Sequence, residues 1–209
     1  MATTGEFIQR LKILGDRPNW SLFDPSQDFY SRLTSGEDAD LVAAAKAITD
    51  HIAIPPLRAV AYEWGLLMPA SAAGRIHIKS ADSSKIQIPL FYVGKPFALG
   101  AILAHELTHQ LLALHGIWDK NEAENEQLTD AASFMAGLGK LVLNGSISEI
   151  AAETGETELL GYLDLPTRVD LYNRIADYHA IQDGVRAANL TPRAVNLFLR
   201  KSLDQSSCR

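Results

Sequence analysis

Pro96-Phe-Ala-Leu-Gly-Ala-Ile-Leu-Ala-His105-Glu106-Leu-Thr-His109-Gln-Leu-Leu-Ala-Leu-His115 is the stretch around which the rest of the chain has to be arranged. Proline suits a first helical position, where its missing N–H is not needed, and Gly116 follows as a stop. The apolar residues Leu99, Ile102, Leu103, Leu107, Leu111, Leu112 and Leu114 leave no clean polar face. That pattern predicts a central, buried helix. Within it stand His105, Glu106 and His109, an H-E-x-x-H. Residues four apart share a helix face, so the two imidazoles can aim at one point, as two ligands of a tetrahedral Zn²⁺ must. Glu106 sits a third of a turn away and can reach a water on the metal without binding the metal itself. Chance alone produces the pattern about once in a hundred chains of this His and Glu content, so the context has to carry the argument. Burying three such groups among aliphatic side chains costs several kcal/mol unless they find partners, and a metal ion partners all of them at once. The competing reading is a polar helix face packed on loops, or two hydrogen-bonded structural histidines.

Two histidines leave a catalytic zinc one protein ligand short. The next predicted helix begins near Asp119 or Asn121 and runs to about Asn144, with Gly145 beyond it. Glu122 and Glu124 in its first turn suit the positive end of the helix dipole. Glu122, Glu126 and Asp130 are spaced by four and form an acidic stripe. Like charges at that spacing cost an isolated helix a few tenths of a kcal/mol per pair, and a cation facing them reverses the sign. Gly137 and Gly139 interrupt this helix at about 1 kcal/mol each relative to Ala, which points to close helix approach.

Strand signals lie upstream of the central helix. Leu57–Trp64 is one expected strand, and Arg75–Lys79 alternates with Ile76 and Ile78 on one face. Lys85–Val93 places Ile86, Ile88, Leu90 and Tyr92 together. The turn-rich Ser80–Ser84 between the last two predicts an antiparallel hairpin. Pro89 cannot donate to a ladder, so its strand is expected at a sheet edge. Glu6–Leu14 and Asp38–Ile52 read as helices, and Arg17–Pro25 as a loop. Thr167 to about Ala187 and Thr191–Leu203 read as two more helices, the latter capped by Thr191 with Pro192 just inside.

The resulting expectation is an α+β, mainly helical fold in one domain over 1–209. Residues 1–56 form an N-terminal helical region, 57–93 a small sheet, 94–145 the metal-site helices and 146–209 the C-terminal helices. The 209 residues suffice for a real core. A net charge of −6 with no basic run argues against nucleic acid and against an anionic membrane surface. No uninterrupted apolar run reaches about 18 residues, so no membrane span is expected. The start MATTGEFIQRLK lacks the apolar core of a signal peptide, and Cys208 is the one cysteine, so a cytoplasmic location is expected.

His105-Glu106-x-x-His109 followed by Asn125-Glu126-x-x-Thr129-Asp130 resembles the paired motifs of the gluzincin metallopeptidases, the thermolysin-like branch of the zincins. The likeness covers about residues 75–145. It implies a small sheet packed on the H-E-x-x-H helix, followed by a glutamate-bearing helix. It implies that His105, His109 and Glu126 bind Zn²⁺, that Glu106 is the general base, and that Asp130 accepts the outer N–H of His105. The spacer 110–125 is shorter than in thermolysin-like enzymes, which keeps Glu122 as an alternative third ligand, and the large flanking domains are missing. The resemblance also implies a substrate groove beside an edge strand, either the strand with Pro89 or its hairpin partner. No segment matches the family's transition-state donor. Tyr162, Tyr172, Tyr178 and His179 are the candidates, with Tyr172 preferred for its mid-helix position. The expected function is zinc-dependent hydrolysis of a peptide bond in a peptide or protein substrate. The alternatives are a zinc hydrolase of other amides or esters, and a zincin-fold sensor or interaction protein with little activity.

Overall fold

The computed structural model describes residues 2–55, 59–63, 75–77, 85–146 and 160–196. It is an α+β, mainly helical structure. Its helices are α1 (Thr4–Arg10), α2 (Lys12–Gly15), α3 (Gln27–Leu33), α4 (Asp38–Ile52), α5 (Pro96–Leu114), α6 (Glu122–Met135), α7 (Gly139–Ser146), α8 (Leu165–Tyr178) and α9 (Asp183–Ala187). Its strands are β1 (Ala59–Glu63), β2 (Arg75–His77) and β3 (Lys85–Pro89). A last helical stretch covers 192–196, and the expected continuation to Leu203 lies outside the described residues.

α5 is the axis of the molecule. It packs along α6 and α7 and touches α3, α4 and β2. Its length and mean hydropathy alone are those of a helix that could cross a membrane. Yet 67% of its most apolar window is buried inside the protein, which is where a core helix sits. Its closest neighbour, α7, approaches because Gly145 lies inside that helix and does not end it, as the sequence suggested. A Cβ at Gly145 would stand 2.3 Å from the Cβ of Ala101 and 2.7 Å from the Phe97 carbonyl oxygen.

The sheet runs in the order β1-β3-β2. β2 pairs antiparallel to β3, with Ile76 opposite Ile86, as the hairpin reading predicts. β1 pairs parallel to β3. Alternation along β3 buries Ile86 and Ile88 completely and leaves Lys85 exposed. The expected edge position of the proline strand is wrong, because β3 is central. Pro89 is tolerated because it closes the strand: the described β2 pairing stops at Gln87, and the chain turns into a 3-10 helix at Leu90–Tyr92. The predicted strand to Val93 is therefore four residues too long. Leu57, Trp64, Ile78, Lys79 and Ser80–Ser84 lie outside the described residues.

The helix expected over 119–144 is two helices. Gly137 adopts φ +87°, a backbone region that side chains avoid, and a Cβ there would fall 2.2 Å from the Ser21 carbonyl oxygen. The loop 17–25 fills that corner. Trp20 Nε1 donates to the Met135 carbonyl (2.7 Å), Arg17 Nη2 to that of Ala136 (2.7 Å) and the Phe23 N–H to that of Gly137 (2.8 Å). These donors satisfy carbonyls that a helix C-terminus leaves without partners. α6 is thus fixed at its far end, and its first turns carry Glu126 and Asp130 to α5. The stretch expected as one helix over 167–187 likewise divides, at Ala180 with φ +51°. Gln27–Leu33, capped by Ser26, is a helix that the apolar pattern did not reveal.

Candidate metal centre

α5 and α6 lie side by side, and a ladder of hydroxyls joins them below the site. Ser133 Oγ donates to Thr108 Oγ1 (3.0 Å), and Thr108 donates to the Ala104 carbonyl (2.7 Å). The connection between the helices is short but anchored. Asn121 caps α6 by accepting from the Glu124 N–H, and Asn125 Oδ1 accepts from the Asp119 N–H (2.9 Å). Arg10 holds the same turn through Asp119 (2.9 Å) and the Trp118 carbonyl (2.9 Å). Asn125, one residue before the glutamate, is therefore a loop anchor that makes the short spacer workable.

That packing brings His105, His109 and Glu126 together. The two Nε2 atoms stand 3.1 Å apart, and Glu126 Oε2 lies 2.9 Å from the first and 3.2 Å from the second. The hydrogen-bond network assigns the tautomers. His105 Nδ1 faces Asp130 Oδ1 at 2.9 Å. A carboxylate only accepts, so that nitrogen carries the proton. Thr129 gives its hydroxyl proton to the Asn125 carbonyl (2.9 Å) and so accepts from His109 Nδ1 (3.2 Å). In the neutral rings both Nε2 lone pairs then point at each other and at a carboxylate oxygen, a repulsion that either a proton between His105 Nε2 and Glu126 or a cation among the three relieves. Ligands about 2.0–2.1 Å from a tetrahedral zinc stand roughly 3.3 Å apart, close to the three separations here. Two imidazoles and one carboxylate are also a donor set that suits zinc. The side chains keep 15%, 17% and 19% exposure, so the group lies near the surface and not in the core. The exposed Glu122 is not part of this group.

The electrostatics follow from burial and pairing. Burial lowers the pKa of His105, but hydrogen bonds to Asp130 and Glu126 outweigh it and hold the pKa up, to about 10. Burial raises that of Glu126, and hydrogen bonds to His105 and His109 bring it down to about 2. Asp130 is also held low, burial being outweighed by His105 and Arg168. Glu106 goes the other way. Burial pushes its carboxyl up against the pull of both histidines, and the Ile76 N–H of β2 donates to it.

Asp130 lies behind His105. Its Oδ2 accepts from the N–H groups of Tyr162 (2.6 Å) and Leu163 (2.9 Å), so the 160–163 loop wraps around it. Gly161 fits there with φ +99°, where a Cβ would fall 2.8 Å from Asp130 Oδ2. The loop lays the Tyr162 ring over His105, centroids 5.7 Å apart and 28° from parallel. Burial, then the charges of Glu126, Glu106 and Asp130, raise the Tyr162 phenol to about 12, so it remains an O–H donor at neutral pH.

The preference for Tyr172 is corrected. Its hydroxyl is buried and donates to the Arg186 carbonyl (2.7 Å), and its ring packs against Gly139. Mid-helix position turned the side chain into the core. Tyr178 donates to Asp16, and His179 stacks on Trp20. No model of a known protein family, no curated protein and no solved structure matches the chain.

Proposed function

We propose that this protein is a zinc-dependent metallopeptidase of gluzincin type. The observation that carries the reading is the convergence of two imidazole nitrogens and one carboxylate oxygen within 3.2 Å, beside a buried glutamate. His105, His109 and Glu126 would hold the ion. A zinc bound there supplies a Lewis acid that lowers the pKa of a water and polarises a carbonyl.

The chain's own side chains supply the rest. Glu106, whose carboxyl is raised by burial, takes a proton from the attacking water as general base. It then passes that proton to the leaving amine nitrogen. Tyr162 donates its O–H to the oxygen on which charge develops, a role worth about 3–4 kcal/mol in the transition state. Asp130 keeps the proton of His105 on Nδ1, so Nε2 stays available to the ion.

The substrate is an extended peptide. Among the described residues β2 is an edge strand of the sheet, and its Ile76 N–H already reaches the general base. A peptide adding alongside that edge would bring a scissile carbonyl to Glu106. The test is turnover of a quenched peptide library by the zinc-loaded protein and its Glu106→Gln variant. Wild type cleaves, and the variant binds zinc equally but loses at least about 100-fold in kcat. Equal cleavage by the variant, or no cleavage by the zinc-loaded wild type, contradicts the reading.

A further inference from the structure

We propose that Arg168 is the positioning residue of this centre, holding Asp130 and the 160–163 loop so that His105 and Tyr162 stand in register with Glu126. The inference rests on the metal reading above and deepens it. The Arg168 side chain, on α8, is fully buried. A buried guanidinium costs several kcal/mol unless its charge and donors are matched. Its Nε donates to the Leu163 carbonyl (2.7 Å), and Nη1 donates to Ser146 Oγ at the end of α7. Among the described residues Nη2 has no hydrogen-bond partner, and it points its charge at Asp130 Oδ2, 3.6 Å away.

These contacts close a ring. Leu163 gives its N–H to Asp130 and its carbonyl to Arg168, so the loop cannot shift without breaking one of the two. Tyr162, bonded to the same Asp130 oxygen, is held with it. Without Arg168, Asp130 would lose the positive charge beside Oδ2, and the loop that bonds it would lose its tie at the Leu163 carbonyl.

The test is the zinc dissociation constant, measured by competition with a chromophoric chelator, in wild type, Arg168→Met, Arg168→Lys and Asp130→Asn, and in each Arg168 variant combined with Asp130→Asn. Arg168→Met weakens zinc binding about 10- to 100-fold, as loss of a group behind a metal ligand does. Arg168→Lys, which keeps the charge and loses the fork, falls between. Because the effect passes through Asp130, either substitution costs less than about threefold more in the Asp130→Asn background. A role in folding alone would leave that difference undiminished. If Arg168→Met does not fold, the Lys pair makes the same comparison. Wild-type affinity in the Arg168 variants, or full losses in the Asp130→Asn background, overturns the inference alone. A wild type that binds no zinc overturns the metal reading and the inference with it.

Discussion

Which nitrogen of each histidine carries its proton decides what His105 and His109 can hold. Asp130 and Thr129 fix those protons on the outer nitrogens, and the inner nitrogens are left facing Glu126. Replacing Glu126 with Gln is expected to remove the proposed third ligand and weaken zinc by at least about 100-fold, while Glu122→Gln stays within about twofold. Chelator competition on the two purified variants makes the comparison, and equal losses would favour a different third ligand. The tyrosines divide in the same way. Tyr162→Phe lowers kcat by about 10²–10³ with little change in zinc affinity. Tyr172→Phe leaves kcat unchanged and costs about 1 kcal/mol of stability, the worth of one buried hydrogen bond. Steady-state kinetics and denaturation curves on both variants read this out. The residues that meet at the centre were legible in the chain, because helical spacing of four places side chains on one face. Tyr162 was legible only as one tyrosine among several. A loop residue has no period, and its place is set by Asp130 accepting the loop's N–H groups from 32 and 33 residues away.

α6 shows how an element is placed by what holds its ends. Its apolar pattern continues past Gly137 into α7, so one long helix was the natural reading. The break comes from tertiary donors, Trp20, Arg17 and Phe23, which take the three terminal carbonyls and leave Gly137 in a left-handed conformation. Nothing in the window 119–144 announces a loop arriving from residues 17–25. Gly137→Ala meets both the positive φ and the Ser21 carbonyl, and costs at least about 2 kcal/mol. For a domain of this size that lowers Tm by roughly 4–8 °C, measured by calorimetry. An unchanged Tm would mean that the corner relaxes freely. Pro89 carries a related lesson. A proline excludes a strand interior but not a strand end, and the terminal position keeps β3 central. The alternation of Ile86 and Ile88 was decisive for their burial, because neighbouring residues of a strand face opposite sides.

At the scale of the whole molecule, the buried axis α5, the small sheet upstream and the helices downstream were legible from apolar periodicity. The parallel pairing of β1 and the joining of α8 to the centre through Arg168 were not, because both depend on contacts between distant segments. Two global properties follow. On the proposed metal reading, zinc binding adds its free energy to folding, about 2.7 kcal/mol at a hundredfold excess over Kd, so removing it is expected to lower Tm by roughly 5–10 °C. Acid acts through His51 as well. Burial, with the nearby charge of Arg17, lowers its pKa to about 4. An unfolded chain takes up that proton near pH 6.5, the folded protein only near 4, so stability falls as pH drops through that window. Denaturation in the presence of a chelator should show His51→Gln losing less stability than wild type between about pH 7 and 4.5. An equal loss would remove His51 from the account. The central claim, that two helices converge on one divalent ion, is tested most directly by the zinc content and zinc-edge X-ray absorption of the purified wild type. The account predicts one zinc per chain, with nitrogen and oxygen ligands only, at about 2.0–2.1 Å. A chain holding no zinc after loading, or one whose zinc shows a sulfur ligand, would contradict it.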